Sequence, residues 1–221
     1  MELILFIAFC IAGAQSLETF GIWGRVWGSL NGMESSGYSL HVRIATLGRF
    51  LTFAVAPTLG YLVDIGEGAT TILYVSVITY SIIFISSFAI FFVSKQRVFD
   101  ILSKIQRAQP SQAINSHIRF DKSIILGGIV AFSLTSSGLL IANFLASQFI
   151  EHRGMLVQFT SIITAGGTLI HVFFVDPKIS NYCDNSIDDS LLAANSYILS
   201  RMLGSSLLLT LTLIILLGGY L

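Results

Sequence analysis

Arg49 stands about nine residues, nearly 14 Å at about 1.5 Å per residue, from the basic end of an apolar stretch running Leu40–Val63. That is too deep for easy snorkelling to the headgroups. A charge there costs about 2.5–3.5 kcal/mol on insertion scales, so it needs a partner or a wet cavity. Arg43 lies one to two turns shallower, within reach of headgroups. Arg201 falls near the inner end of the last apolar stretch, Glu18 near the end of the first, and Arg25 just beyond it in an inner loop. Two chemistries are open to this set. Glu18 and Arg49 from neighbouring helices could form an ion pair that locks a bundle. Alternatively, Arg49 with Arg25, Arg43 or Arg201 could face a cavity and hold an anion such as phosphate, whose oxygens match the planar, permanently charged guanidinium. Pro57, about two turns beyond Arg49, removes a backbone hydrogen bond and is expected to kink the span. A broken helix beside a buried charge is what transporter binding sites tend to use.

A second polar feature is a stripe on one helical face, Ser161, Thr164, Thr168 and His171, spaced three, four and three apart. Gly166 and Gly167 beside it allow close helix approach. His171 adds a titratable group able to relay a proton, and Glu18 is the other candidate for coupling. Ser133, Ser136, Ser137 and Asn143 decorate the preceding apolar stretch, with Ser136 and Asn143 on one face. Such stripes serve as packing glue or as a cavity wall.

No enzyme signature accompanies these residues: there is no His-Glu-x-x-His, no Gly-rich phosphate loop and no Cys-x-x-Cys. Cys10 and Cys183 lie far apart, without metal-ligand or disulfide spacing. Asp184, Asp188 and Asp189 read as solvation of a loop. Neither metal, cofactor nor enzymatic activity is expected. Zero net charge argues against nucleic-acid partners.

The elements that position the charges follow from composition. Only 11% of residues are charged and 54% are hydrophobic, too few charges to coat a soluble domain of this length. Six apolar stretches are each long enough to span a core of about 30 Å: Leu3–Phe20, Leu40–Val63, Thr71–Val93, Ser123–Phe149, Met155–Val175 and Tyr197–Tyr220. Strands of a barrel would be shorter and alternate in polarity, so the fold class is all-α, a polytopic bundle of about six transmembrane helices forming one domain over residues 1–221. The start, Met-Glu with no basic region, reads as a first span and not as a cleaved signal. The connection 94–122 holds Lys95, Arg97, Lys104, Arg107, Arg119 and Lys122, which marks it as cytoplasmic and places both termini outside. Alternation then puts Asp64, Glu67 and Glu151-His152-Arg153 outside and makes 176–195 an inner loop. Within the basic connection, ahead of Pro110-Ser111-Gln112, Val98, Leu102 and Ile105 fall at helical spacing. They predict a short amphipathic helix to about Ala108, lying against membrane lipid headgroups. Three spans per half would make two inverted halves, and Thr58-Leu59 to Val63-Asp64 echoes Thr168-Leu169 to Val175-Asp176.

The run Ser16-Leu17-Glu18-Thr19-Phe20-Gly21-Ile22-Trp23-Gly24-Arg25-Val26-Trp27-Gly28 resembles the start of the Amj-type lipid II flippase family, which shows Glu-Thr followed by Arg and Gly at this spacing. Arg49 eight residues before Pro57-Thr58-Leu59-Gly60 is similar to the same family. So are Phe174-Val175-Asp176-Pro177 and Arg201-Met202-Leu203-Gly204. The stretch from Ser29 to Tyr38, rich in Gly and Ser, departs from it. The resemblance implies a bacterial inner-membrane flippase. Its cargo would be a polyprenyl-diphosphate-linked glycan, either lipid II or a surface-polysaccharide unit, with the arginines on the diphosphate. Without an ATP motif, any uphill drive would come from an ion gradient or the membrane potential, worth about 2.3 kcal/mol per charge per 100 mV. Six spans are a small frame for such a headgroup, which suggests a homodimer. Two other functions fit the same charges: a small-solute or ion carrier, and a non-transporting scaffold of a polysaccharide synthesis complex.

Overall fold

A computed structural model describes residues 1–65, 68–93, 95–106 and 118–219. Glu67, Arg107, Ala108, Pro110, Ser111, Gln112 and Tyr220, which figure in the expectations above, lie outside these residues. Among the described residues there are nine α-helices and no strand: α1 (Glu2–Leu30), α2 (Glu34–Thr52), α3 (Val55–Asp64), α4 (Ala69–Phe92), α5 (Lys95–Gln106), α6 (Lys122–Gln148), α7 (Arg153–Ile170), α8 (Asp176–Asn185) and α9 (Ile187–Gly218). Six helical spans are long and apolar enough to cross a membrane: α1, α2 with α3, α4, α6, α7 with α8, and α9. The chain is a multi-pass, all-α membrane bundle.

Two spans are broken, each by a proline. Pro57 has no N–H for the carbonyl of Phe53, and the second span interrupts at Phe53–Ala54 between α2 and α3. Pro177, in the first turn of α8, likewise cannot bond Phe173, and the preceding turn, His171–Val175, widens into a π-helical turn. The second span is thus interrupted ahead of Pro57, where a kink was expected, and the fifth span carries a π-helical turn ahead of Pro177.

Three boundaries differ from those the apolar runs suggest. The first helix continues to Leu30 and carries Arg25 inside the bundle, not in a loop. Trp23 and Trp27 are fully buried there, so this wide, mixed segment is core. The expected inner loop 176–195 is helical apart from Ser186, which accepts from the Asp189 amide and starts α9 at Ile187. Ser190 and Asn195 within it, and Ser196 just beyond, are buried, which lowered the apparent hydropathy without breaking the helix. The amphipathic helix of the basic connection is α5, but Phe99 and not Ile105 completes its buried face. Phe99 meets Trp23 edge-on at 5.9 Å, and Trp27 Nε1 donates to Ser103 at 2.9 Å, so α5 docks on α1 and is no free surface helix.

Glycine draws the spans into two hairpins. A Cβ on Gly28 would stand 2.6 Å from Gly37 Cα, and one on Gly48 would stand 2.8 Å from the Ala14 carbonyl. Backbone therefore touches backbone along the whole α1–α2 seam, whose turn needs Gly32 at φ +62. The α6–α7 seam repeats the device: a Cβ on Gly167 would stand 2.8 Å from the Ala131 carbonyl. The second-order packing repeats too, since α1 lies on α2 and α4 as α6 lies on α7 and α9, with α4 against α9 at the centre. This is the pairing expected of two three-span halves running in opposite senses. Gly48→Leu should destabilise the bundle by about 1–3 kcal/mol through overpacking. Gly60→Ala, with nothing within 4 Å, should be silent. Thermal unfolding of the detergent-solubilised protein separates the two.

Asp121 caps α6. Its carboxylate accepts from the Ser123 and Ile124 amides at 2.7 and 3.0 Å, from the Ser123 hydroxyl, and from Tyr182 at 2.7 Å. Partial burial alone would raise this carboxyl, but the hydrogen bonds outweigh it and bring it down to about 2. A carboxyl lowered from 3.8 stabilises the fold fully above that value, and the contribution disappears as pH falls toward about 2. The stability gap between the native chain and Asp121→Asn should close over that window, as read by thermal midpoints in acid-tolerant detergent.

Candidate functional site

The two hairpins stand apart at their outer helices. α2 packs along α1 and α7 along α6, while α2 and α7 share no extended packing. Between them lies a partly open cavity of about 500 Å³, lined from α1, α2, α6, α7 and α9. α1 contributes Gln15 and Glu18, α2 Arg49 and Thr52, and α6 Thr135 and Ser136. α7 contributes Thr160, Thr164, Thr168 and His171, and α9 contributes Arg201. A smaller cavity of about 140 Å³ adjoins it, sharing Glu18, Arg49 and His171 and adding Arg25, Tyr38, His41 and Asp176. Both interruptions adjoin the large cavity: Thr52, which precedes one, and His171, which begins the other, line it.

The floor of the large cavity is an ion pair. Arg201 Nη2 stands 2.5 Å from Glu18 Oε1, and Nη1 donates to Gln15 Oε1 at 3.1 Å. The Tyr197 hydroxyl accepts from Arg201 and donates to Glu18 at 3.2 Å. The rings of Tyr197 and Phe132 lie 4.8 and 5.0 Å from the guanidinium carbon, which adds cation–π attraction. The Arg201 side chain is only 4% exposed. Arg25, equally buried, stands 2.5 Å from Asp176 Oδ1, donates to Ser180 at 3.2 Å and lies over the Tyr38 ring at 4.6 Å. At the opposite end of the spans Arg153 meets Asp64 at 2.7 Å, joining the tips of α7 and α3 in an exposed pair.

These positions correct the expected pairing. Glu18 binds Arg201, not Arg49, because α9 starts at Ile187 and so carries Arg201 to mid-helix, level with Glu18 on α1. Arg25 and Arg201 line the cavities but spend their charge on carboxylates. Arg43 is exposed and lines neither cavity, so it leaves the site. Arg49, expected to be buried, is exposed like Arg43, but unlike it lines both cavities, and it has no carboxylate within ion-pair distance among the described residues. His171 lines both as well, 5.8 Å from the Tyr197 ring.

The hydroxyl stripe on α7 is present with one change of register. Thr164, Thr168 and His171 face the cavity, but Thr160 and not Ser161 completes the row. Thr164 and Thr168 donate to their own helix at 2.7 and 2.9 Å, leaving oxygen lone pairs toward the cavity. The Ser136 and Thr160 hydroxyls are buried without a partner among the described residues. Asn143, expected beside Ser136, is buried elsewhere and bonds the Leu139 carbonyl at 2.8 Å. Sequence reasoning passed over Gln15, His41 and Tyr197. The spacing His41, Ala45, Arg49, Thr52 marks one helical face, and that was the readable signal for His41.

The chain matches no family model, no curated protein and no solved structure. The chemistry of the site therefore rests on its own geometry: a partly open cavity inside a membrane bundle, with hydroxyls among a largely apolar lining, a neutralised ion pair at one side and one arginine without a counter-charge among the described residues. Removing one partner of the floor pair should cost about 3–5 kcal/mol, because the other charge is left buried alone. Arg201→Met is therefore expected to unfold readily, and adding Glu18→Gln to it should restore part of the loss. Arg49→Ala should stay within about 0.5 kcal/mol of the native chain. Thermal unfolding of the purified variants measures all three.

Proposed function

We propose that this chain is a flippase for a polyprenyl-diphosphate-linked saccharide in a bacterial inner membrane. Its basic connection faces the cytoplasm and both termini face outward. The observation that supports the reading is Arg49, an exposed arginine without a counter-charge among the described residues, lining a partly open cavity that also carries a row of hydroxyls; we take the gap between α2 and α7 as its opening to the bilayer. A headgroup with negative phosphates and sugar hydroxyls needs such a lining to offset its lost hydration. A sideways opening lets the isoprenoid tail remain in lipid while the headgroup occupies the cavity. A small-solute carrier would have no use for that opening, and a scaffold would have no use for an uncompensated charge at that depth. The residues that carry the family resemblance, Glu18, Arg25, Arg49, Asp176 and Arg201, converge on the two cavities, and Pro57 makes the break above them. Inverted halves with matched breaks offer the two-sided hinge that alternating access requires.

The test is reconstitution. Purified protein in liposomes carrying a polyprenyl-diphosphate-linked sugar should speed its movement between leaflets, and Arg49→Ala, equally folded, should abolish the acceleration. Complementation of cells whose lipid II flippases are shut off supplies the cellular counterpart. A native chain that is well inserted and moves no polyprenyl lipid would overturn the reading. Equal transport by Arg49→Ala would remove Arg49 from the mechanism.

A further inference from the structure

Both ion pairs at the cavities are made through one carboxylate oxygen. Glu18 meets Arg201 and Tyr197 with Oε1 alone, and Asp176 meets Arg25 with Oδ1 alone. The other amino group of each guanidinium donates elsewhere, Arg201 Nη1 to Gln15 and Arg25 Nη1 to Ser180. A carboxylate that served only to neutralise its arginine would gain more from the fork geometry, in which both oxygens accept in parallel. Glu18 Oε2 and Asp176 Oδ2 instead have no hydrogen-bond partner among the described residues. Neither side chain is sealed off, since that of Glu18 is 32% exposed and that of Asp176 25%. Glu18 lines both cavities and Asp176 the smaller one. Gln15 adds a donor in the large cavity. A guanidinium only donates, so the Gln15 amide must turn its oxygen to Arg201, which leaves its nitrogen without a partner among the described residues.

An ionised carboxylate oxygen can only accept. Its complement is a ligand group carrying an O–H or N–H, and an ionised phosphate offers none. The two linings together set Glu18 and Asp176 against Arg25, Arg49 and Arg201, so one arginine is in excess, and Arg49 is the one without a carboxylate. A ligand that answers all of these groups is anionic at one point and rich in donors beside it. That describes a glycosyl phosphate and not a bare phosphate or diphosphate. Resting on the flippase reading above, we infer that Glu18 and Asp176 determine specificity: their free oxygens accept from hydroxyls of the sugar next to the diphosphate, so the chain selects the glycosylated lipid over the bare carrier. Arg201 and Arg25 are positioning residues, each holding its carboxylate by one oxygen and leaving the other to the ligand. A site built to bond a hydroxyl rejects the analogue that lacks it, because its own polar group is then left unpaired.

The experiment compares three lipids in proteoliposomes: bare polyprenyl diphosphate, the same lipid carrying one sugar, and that glycolipid with its sugar hydroxyls replaced by fluorine. Fluorine nearly keeps the size of the headgroup and removes its donors. The native chain should move the hydroxylated glycolipid about tenfold faster than either of the others, the worth of about one hydrogen bond to a charged group. Glu18→Gln keeps an oxygen for Arg201 and puts an amide N–H in place of Oε2, so the preference should fall to near equality. Asp176→Asn makes the same change at the smaller cavity, and a shift of preference in either variant supports the inference. Thermal midpoints show whether the variants fold; if neither does, the comparison of lipids on the native chain decides alone. Equal rates for the fluorinated and hydroxylated glycolipids would overturn the inference. So would folded amide variants that both keep the native preference, or that slow all three lipids alike, since the carboxylates would then serve the fold alone. Failure of every lipid to move would instead sink the flippase reading on which the inference rests.

Discussion

Charge in hydrocarbon must be neutralised, and the bundle is organised around the place where that is done. Glu18 on α1 and Arg201 on α9 meet at mid-height, each also held by Tyr197. Neither charge could stay in a low-dielectric interior without the other, so the pair fixes the level of the last helix against the first. Gln15 and two aromatic rings satisfy what remains of the guanidinium. The pair adds little net stability compared with apolar side chains of the same size, but it penalises any slip in register of α9 along α1. A half-turn slip would leave two unpaired ions in hydrocarbon.

From that centre the hairpins reach outward, and their stiffness comes from backbone contact. Where Gly28 meets Gly37 and Gly48 meets Ala14, no side chain intervenes, so α2 follows α1 closely. The α6–α7 seam at Gly167 does the same. Because each outer helix is fastened along its own partner, neither needs the other, and the space between α2 and α7 stays open. The prolines then place a break in each outer helix beside that space. For the function proposed above, a rigid seam with a local interruption would let the end of an arm move while its root stays packed.

Much of this was legible in the residues. Spans were readable because hydrocarbon tolerates so little polarity, and Arg49 stood out for the same reason. Pro57 announced its break through the missing N–H. What was not legible has a common cause: a polar residue buried against protein looks, in one dimension, like a residue in water. Ser190, Asn195 and Ser196 made the start of α9 resemble a loop, and Arg25 made the end of α1 resemble one. Misplacing the start of α9 then misplaced Arg201, and with it the partner of Glu18. His41 was overlooked because a single imidazole in a mixed helix carries no signal until a neighbouring face, here Gly21 on α1, shows that it is enclosed. Ser161 was an error of one helical position, and Ile105 lies beyond the edge of a face set by Val98, Phe99 and Leu102, a boundary that periodicity alone does not settle.

The contrast between Arg201 and Arg49 separates a charge that serves the fold from one that does not. Both are arginines lining one cavity inside a membrane bundle. Arg201 has a carboxylate, a phenol, an amide and two aromatic faces around it, so every part of its cost is answered within the chain. Arg49 has none of the carboxylates, although Glu18 lines the same space; the fold gives that carboxylate to Arg201 instead. Arg49 is exposed, so the fold neither answers its charge nor depends on it. On the function proposed above, an anionic headgroup is the partner that this free guanidinium would take.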